Sequence, residues 1–266
     1  MTLLCPVCGA PIAPGEKVWR CGEGHCFDVA RQGYVNLLPV QQKHSLHPGD
    51  TPEQVRARRR FLSAGYYMPI ADAVCELLGP AARVLDVGCG EGFYLRHYGK
   101  TFPKAERWGL DISRDAVRLA AGADKAGRYL VATAAHLPFA DGSFDALMSL
   151  FALTVPEEFS RMLAPGGAYL QALAEEDHLL GLKELIYPEL THRSKDLTPA
   201  LPGFALIGQR EVRFDIMLTD GTQVADLLAM TPHYWRITKD GAARAAAAEG
   251  LHDTAHVRLN LYRRAE

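Results

Sequence analysis

Residues 83–96 read RVLDVGCGEGFYLR, and the reading of this stretch decides the fold. The run from Arg83 through Val84, Leu85, Asp86 and Val87 is apolar and β-branched enough to predict a short buried strand. Gly88, Gly90 and Gly92 break it, and a helix-like segment follows. A strand that ends in glycines and leads into a helix lets backbone N–H groups approach a ligand, with a helix N-terminus beside it. A dinucleotide fingerprint needs its third glycine at position 93, where Phe93 stands.

Two further strand-like runs keep the order of a doubly wound sheet. Residues 107–112 (RWGLDI) carry Asp111, an acid about twenty residues downstream, where such folds bind ribose hydroxyls. Residues 129–132 (YLVA) precede AHLPFADGSFD, residues 135–145. The spacing Asp-x-Gly-x-Gly-x-Gly resembles motif I of class I S-adenosylmethionine-dependent methyltransferases, and the later pieces resemble their next two strands. That resemblance favours a methyl donor over NAD. It implies cofactor contacts at Asp86, Gly88 and Gly90, ribose binding at Asp111, and a loop edging the adenine at His136.

The chain has 266 residues, enough for one large domain and a small appendage. Its net charge of −2 leaves no global basic field, but the charge is uneven. Residues 1–60 hold eight Lys/Arg against five Asp/Glu, a local +3 that leaves −5 for the remainder. No apolar run follows Met1 and no stretch reaches membrane-spanning length, so no membrane contact and a cytoplasmic location are expected. In that compartment the six cysteines point to metal rather than to disulfides.

Cys5, Cys8, Cys21 and His25 form C-x2-C-x12-C-x3-H, the spacing of two knuckles around one tetrahedral ion. Thiolate and imidazole donors favour a single structural Zn2+, and forty residues could not otherwise build a core. Cys26 competes with His25 for the fourth position. His25 is preferred because one more residue places Cys26 on the next strand face. A polar linker follows, residues 41–52, with Lys43, His44, Ser45 and His47 among its members. Thr51, Pro52 and Glu53 predict a helix start. On that helix Arg56, Arg59 and Arg60 share a face, with Arg58 nearby. Such a face is ordinarily solvated, and beside a zinc module it also suits phosphate contacts.

Read together, CPVC, CGEGHCFDVARQGYVNLLPVQ, PGD, RARRRFLSAGYY, LDVGCGEGFY, HLPFADGSFDAL, HLLGLKELIY and MTPHYWR resemble the bacterial 23S rRNA guanine-N1 methyltransferases of the RlmA type. The joining of the zinc spacing to GYVNLLP and RR-x-FL-x-AG-x-Y is the specific part. The resemblance implies zinc ligands at Cys5, Cys8, Cys21 and His25. It implies cofactor contacts at Tyr67, at Tyr94 and Leu95 (the latter through its backbone), and at His178. It further implies a 23S rRNA stem-loop as substrate and leaves a homodimer open.

The expected architecture is an α/β class I, Rossmann-like methyltransferase domain with a small N-terminal zinc-binding module. The expected divisions are a module over 1–38, a linker and basic helix over 39–70, and the methyltransferase domain over 71–266. Strands are expected at 83–88, 107–112, 129–133, 144–151, 167–173, 204–218 and 255–263. Helices are expected at 91–99, 113–121, 156–163 and 179–190, with right-handed crossovers throughout. No catalytic residue is singled out. Glu157, Glu158, Glu175, Glu176, Asp177 and His178 cluster near strand ends, though acids at 157 and 158 also suit a helix N-terminus. Phe93, Phe151, Tyr187, Tyr234 and Trp235 are aromatics that could stack on a base, and residues 231–236 could line the acceptor pocket. Two rival classes remain: a small-molecule methyltransferase, and a non-catalytic RNA-binding or resistance-associated protein. The zinc spacing argues against the first, and intact Asp86, Gly88, Gly90 and Asp111 against the second.

Overall fold

Four short strands open the chain: β1 (Leu3–Leu4), β2 (Pro11–Ala13), β3 (Val18–Cys21) and β4 (Cys26–Asp28). They pair antiparallel in that order. At two to four residues each they hold a sheet only with outside help, which the cysteine–histidine cluster and a shared core supply. The computed structural model describes residues 1–42, 48–190 and 196–265. Lys43, His44, Ser45 and His47 of the expected linker lie outside those residues.

The next strand, β5 (Val35–Asn36), leaves the small sheet and pairs in parallel with β8 (Arg128–Val131). Helix α1 (Pro52–Ser63) starts on a capping box: the Thr51 hydroxyl accepts from the Gln54 N–H, and the Gln54 carboxamide accepts from the Thr51 N–H. Helix α2 (Met68–Leu78) follows. The large domain then runs β6 (Arg83–Val87), α3 (Phe93–Thr101), β7 (Glu106–Asp111), α4 (Arg114–Ala123) and β8. After it come β9 (Phe144–Leu150), α5 (Pro156–Met162), β10 (Leu163–Ala174), α6 (Leu180–Ile186), β11 (Phe204–Leu218), α7 (Gly221–Ala229), α8 (Lys239–Ala247) and β12 (Leu251–Arg264).

The eight-stranded sheet has the order β11-β12-β10-β9-β6-β7-β8-β5. Strands β10, β9, β6, β7, β8 and β5 run parallel, and β12 lies antiparallel to both β10 and β11. The order reverses at β6, between β9 and β7, which opens a crevice at the carboxyl ends of these strands.

Three elements differ from the sequence reading for local reasons. Helix α3 starts at Phe93 rather than 91, because Gly88, Gly90 and Gly92 all adopt positive φ (78°, 55° and 81°) and extend the loop. Strand β10 begins at Leu163, with a register shift against β9 between Leu163 and Ala168 where Pro165, Gly166 and Gly167 turn. Helix α6 stops at Ile186, since Pro188 disfavours helical geometry at Tyr187.

The expected module boundary at residue 38 does not separate two cores. Leu3, Cys5, Ile12 and Cys21 pack in one cluster with Val35, Leu37, Leu85, Leu110, Leu137 and Phe139. Backbone bonds stitch the same seam, Leu4 N–H to Pro138 O and Ala140 N–H to Thr2 O, both 2.9 Å.

Candidate functional site

Strand β6 delivers Asp86 to the crevice fully buried, and its Oδ2 has no donor among the described residues. Burial first, and the charge of Asp111 second, push this carboxyl well above the usual range. The loop beyond it must be glycine: a Cβ on Gly88 would stand 2.6 Å from the Ala152 Cβ. The N–H groups of Gly88 and Cys89 donate to Leu110 O at 2.8 and 3.0 Å, which ties the loop to β7. At the end of β7, Asp111 accepts from the Gly90 N–H (2.9 Å) and the Ser113 N–H (2.8 Å), one on each oxygen. Each oxygen keeps a second lone pair, so the carboxylate is oriented for a pair of vicinal hydroxyls. In α3 the Arg96 N–H makes a helical bond to Gly92 O (3.0 Å), and the N–H groups of Phe93, Tyr94 and Leu95 are left at the helix terminus.

Two cavities meet over this loop. The smaller, about 170 Å³, is walled by Asp111, Ser113, Gly49 and Asp50. The larger, about 770 Å³, holds Tyr67, Asp86, Tyr94, Phe151 and His178 and extends to Tyr187, His233 and Arg236. Arg58, Gly88, Gly90 and Phe151 belong to both. A nucleoside carrying an amino-acid tail fits this layout, with ribose at Asp111 and an ammonium at the orphaned Asp86 oxygen. These residues therefore suit S-adenosylmethionine.

A buried polar pair stands at the junction. The His256 N–H donates to His178 Nδ1 at 3.1 Å, so a neutral ring carries its proton on Nε2 and donates it to the Tyr67 hydroxyl at 3.3 Å. The Phe151 ring stacks on His178 (centroids 6.2 Å apart, planes at 28°). Phe151 and Leu179 are left-handed, with φ of 56° and 52°. Non-glycine residues in that region cost about 1–3 kcal/mol each and cluster where function demands a particular side-chain direction.

Other expected residues lie elsewhere. Leu95 is fully buried in the core and lines neither cavity, so only its backbone faces the loop. His136 is exposed and lines neither cavity. Its loop is instead held by Arg161, which donates to Phe139 O (2.8 Å), Leu137 O (3.0 Å) and Glu158 (2.8 and 2.9 Å). Glu158 also accepts from the Leu137 N–H (2.8 Å), so Glu157 and Glu158 serve the first turn of α5. Glu175 pairs with Arg258 at 2.6 Å, and Asp177 is held by His256 (2.5 Å) and Arg213. Within residues 231–236, Pro232, His233 and Arg236 line the larger cavity, whereas Tyr234 and Trp235 do not. Among the stacking candidates, Phe93, Phe151 and Tyr187 line it.

In the small sheet, donor atoms of Cys5, Cys8, Cys21 and His25 all lie within 4.8 Å of one another. A tetrahedron with bonds of about 2.3 Å has edges of about 3.8 Å. The Cys8 and Cys21 sulfurs are 3.7 Å apart, and His25 Nδ1 is 3.3 Å from Cys21 Sγ. Burial opposes ionisation of Cys21, yet the hydrogen bonds from His25 outweigh it and bring the thiol down to about 7. Cys26 faces out on β4, with its sulfur against Arg20 (3.2 Å) and Gly24 O (3.3 Å). The donor set fits one structural zinc, with His25 rather than Cys26 as fourth ligand.

The arginine face of α1 needs correction. Arg60 is bidentate to the buried Asp226 of α7, at 2.8 and 2.5 Å, and therefore anchors the helix rather than waiting for phosphate. Arg56 is exposed. Arg58 turns inward to the cleft, which the spacing of Val55, Arg58 and Leu62 on one helical face could have revealed.

Comparison with known proteins agrees with this construction. Residues 3–46 match the amino-terminal zinc ribbon of the RlmA family, and residues 84–167 match a methyltransferase domain. A Streptomyces fradiae protein named 23S rRNA (guanine(748)-N(1))-methyltransferase is 36% identical, covering 94% of this chain and 92% of its own. A Bacillus subtilis protein named as a putative 23S rRNA (guanine-N(1)-)-methyltransferase is 32% identical over 89% of this chain and 88% of its own. A solved structure described under the conversion of a disulfide bond into a thioacetal group in echinomycin biosynthesis superposes with a TM-score of 0.50 at 17% identity. It covers 74% of this chain and 82% of that one, and shares the fold. With the ribbon, the glycine loop and near full-length relatives in agreement, the chain belongs to the 23S rRNA (guanine-N1)-methyltransferase family.

Proposed function

We propose that this protein transfers a methyl group from S-adenosylmethionine to N1 of a guanine in a 23S rRNA stem-loop. The observation that carries the reading is the larger cavity, which continues past the cofactor cradle into a chamber bounded by Phe151, Tyr187, His233 and Arg236. Such a chamber admits a base taken out of its stack and held between ring faces. Relatives along nearly the whole chain carry names for this reaction, which supports the choice of guanine.

When bound, S-adenosylmethionine supplies a sulfonium methyl group for in-line displacement. The chain's part is to position both partners. Asp111 would hold the ribose and Asp86 the ammonium. Tyr67, Tyr94, the Leu95 N–H and His178 would surround the tail, with Gly88 and Gly90 forming the floor. His136 would edge the adenine only from outside the cavities. The guanine N1 proton must leave as the N–C bond forms, and Glu176 and Glu189 are the solvent-facing carboxylates on the chamber wall.

The working division is functional: residues 1–38 and the outer face of α1 contact RNA, while residues 71–266 perform the chemistry. Among the described residues no helix is long and apolar enough to cross a membrane, and an rRNA substrate supports a cytoplasmic location. The test supplies tritiated donor with naked 23S rRNA, with a guanine-to-adenine rRNA variant and with quinone-like small molecules. A reverse-transcription stop present on wild-type rRNA and lost on rRNA from a deletion strain then locates the nucleotide. Label in guanine-containing RNA alone is expected. Label in the small molecules with none in RNA would replace this reading with the rival enzyme class.

A further inference from the structure

We propose that Arg58 binds the carboxylate of the amino-acid end of the methyl donor, the charged group to which no residue above is assigned. The inference rests on the cofactor reading of the cleft.

The placement of Arg58 follows from helix geometry. Val55, Arg58 and Leu62 follow one another at i, i+3 and i+7, and Val55 and Leu62 are buried in the core. The arginine between them is thereby drawn into the cleft, where it lines both cavities. Its Cδ would be 3.8 Å from a Cβ on Gly90, so the side chain lies along the glycine loop. Nη2 is held by Asp50 Oδ2 (2.7 Å) and Met230 O (3.2 Å), residues that line the smaller and the larger cavity respectively. These contacts fix the plane of the guanidinium.

One donor of the guanidinium is not satisfied. Arg58 Nε is buried and has no acceptor among the described residues. An unpaired buried donor on a charged group is costly and calls for a reason, which a bound anionic group would supply. The positive charge of Arg58 reaches Tyr67, Tyr94, Glu91 and Asp111, which together surround the junction of the two cavities. Glu91 does not answer the need, because Arg96 engages both of its oxygens at 3.0 Å. Asp86 offers an unpartnered carboxylate oxygen in the same cleft, which suits an ammonium. An α-amino acid presents an ammonium and a carboxylate on one carbon, so Asp86 and Arg58 together form a zwitterion clamp.

The experiment compares S-adenosylmethionine with decarboxylated S-adenosylmethionine by calorimetry on the wild type, Arg58→Lys and Arg58→Ala. A charge-assisted pair predicts that the wild type prefers the carboxylate-bearing donor by about tenfold to a hundredfold. Arg58→Ala should lose most of that preference while its affinity for the decarboxylated donor changes little, and Arg58→Lys should fall between. Where Arg58→Ala does not fold, judged by its melting curve, Arg58→Lys carries the same comparison. An unchanged preference overturns the assignment. Equal weakening toward both donors overturns it in favour of a purely structural role through Asp50 and Met230. A flattened salt dependence of RNA binding with unchanged donor preference overturns it in favour of phosphate. If the wild type binds neither donor, the cofactor reading itself fails, a result distinct from the other three.

Discussion

Asp86 stands in the cleft at a cost in stability. Burial raises its carboxyl well above the usual carboxylate range, and Asp111 adds to the effect. The native state then keeps a proton that the unfolded chain releases, so stability without ligand should fall as pH rises from about 3.8 through the raised native value. Asp86→Asn should flatten that slope and melt at a higher temperature than wild type at neutral pH, while losing donor affinity. Thermal melts of the ligand-free proteins across pH settle this, and a parallel slope in the variant would contradict it. If Asp111 holds the ribose as proposed, Asp111→Ala should remove hydrogen bonds worth roughly 1.5–3 kcal/mol each. It also frees the Gly90 and Ser113 N–H groups, so calorimetry should show at least tenfold weaker donor binding. Acids and metal ligands at this scale were legible because their chemistry is tied to a fixed spacing. Arg58 was legible only through the apolar spacing of Val55 and Leu62 on either side of it, because it stands in a run of three arginines that reads first as a charged face.

At the scale of elements, α1 serves two masters. Its inner face docks on α7 through Arg60 and Asp226 and through the Gln54 carboxamide on Ala229 O (3.3 Å). Arg60→Ala leaves a buried carboxylate without its partner; because the arginine is itself half in solvent, the cost should be about 1 kcal/mol, read from denaturant midpoints. Arg56→Ala touches the exposed face and should leave stability alone. It should reduce the salt slope of RNA binding by about one unit, and an unaltered slope would remove Arg56 from the RNA surface. The strands from β6 to β12 were legible as apolar runs between turns, whereas the insertion of β12 between β10 and β11 rests on long-range pairing that no local pattern carries. Helix ends were less so. The start of α3 depends on three alternate left-handed glycines, and the end of α6 depends on Pro188, local effects that periodicity averages over.

For the molecule as a whole, the zinc ribbon and the large sheet share apolar residues and backbone bonds at Thr2, Leu4, Pro138 and Ala140. Cys8→Ser or a chelator should therefore lower the melting temperature of the whole chain by exposing Leu137 and Phe139. Calorimetry showing a ribbon transition with the main transition unmoved would mean that the two parts are independent. This coupling escaped the sequence because the partners are more than a hundred residues apart, and each half reads as complete alone. The strand β5 escaped for a related reason: two residues carry no alternation to recognise.

Strand β5 also bears on how the chain is made. It covers the β8 edge of the sheet, through Val35 against Leu130 and Asn36 against Val131. Synthesis proceeds from the amino end, so this strand emerges long before its partner exists. The ribbon can close on its metal early, whereas its tail must remain unpaired until β8 arrives, a long loop closure of the kind that slows folding. The amino-terminal forty residues are thus among the first to gain a metal-held shape and among the last to be sewn into the finished sheet.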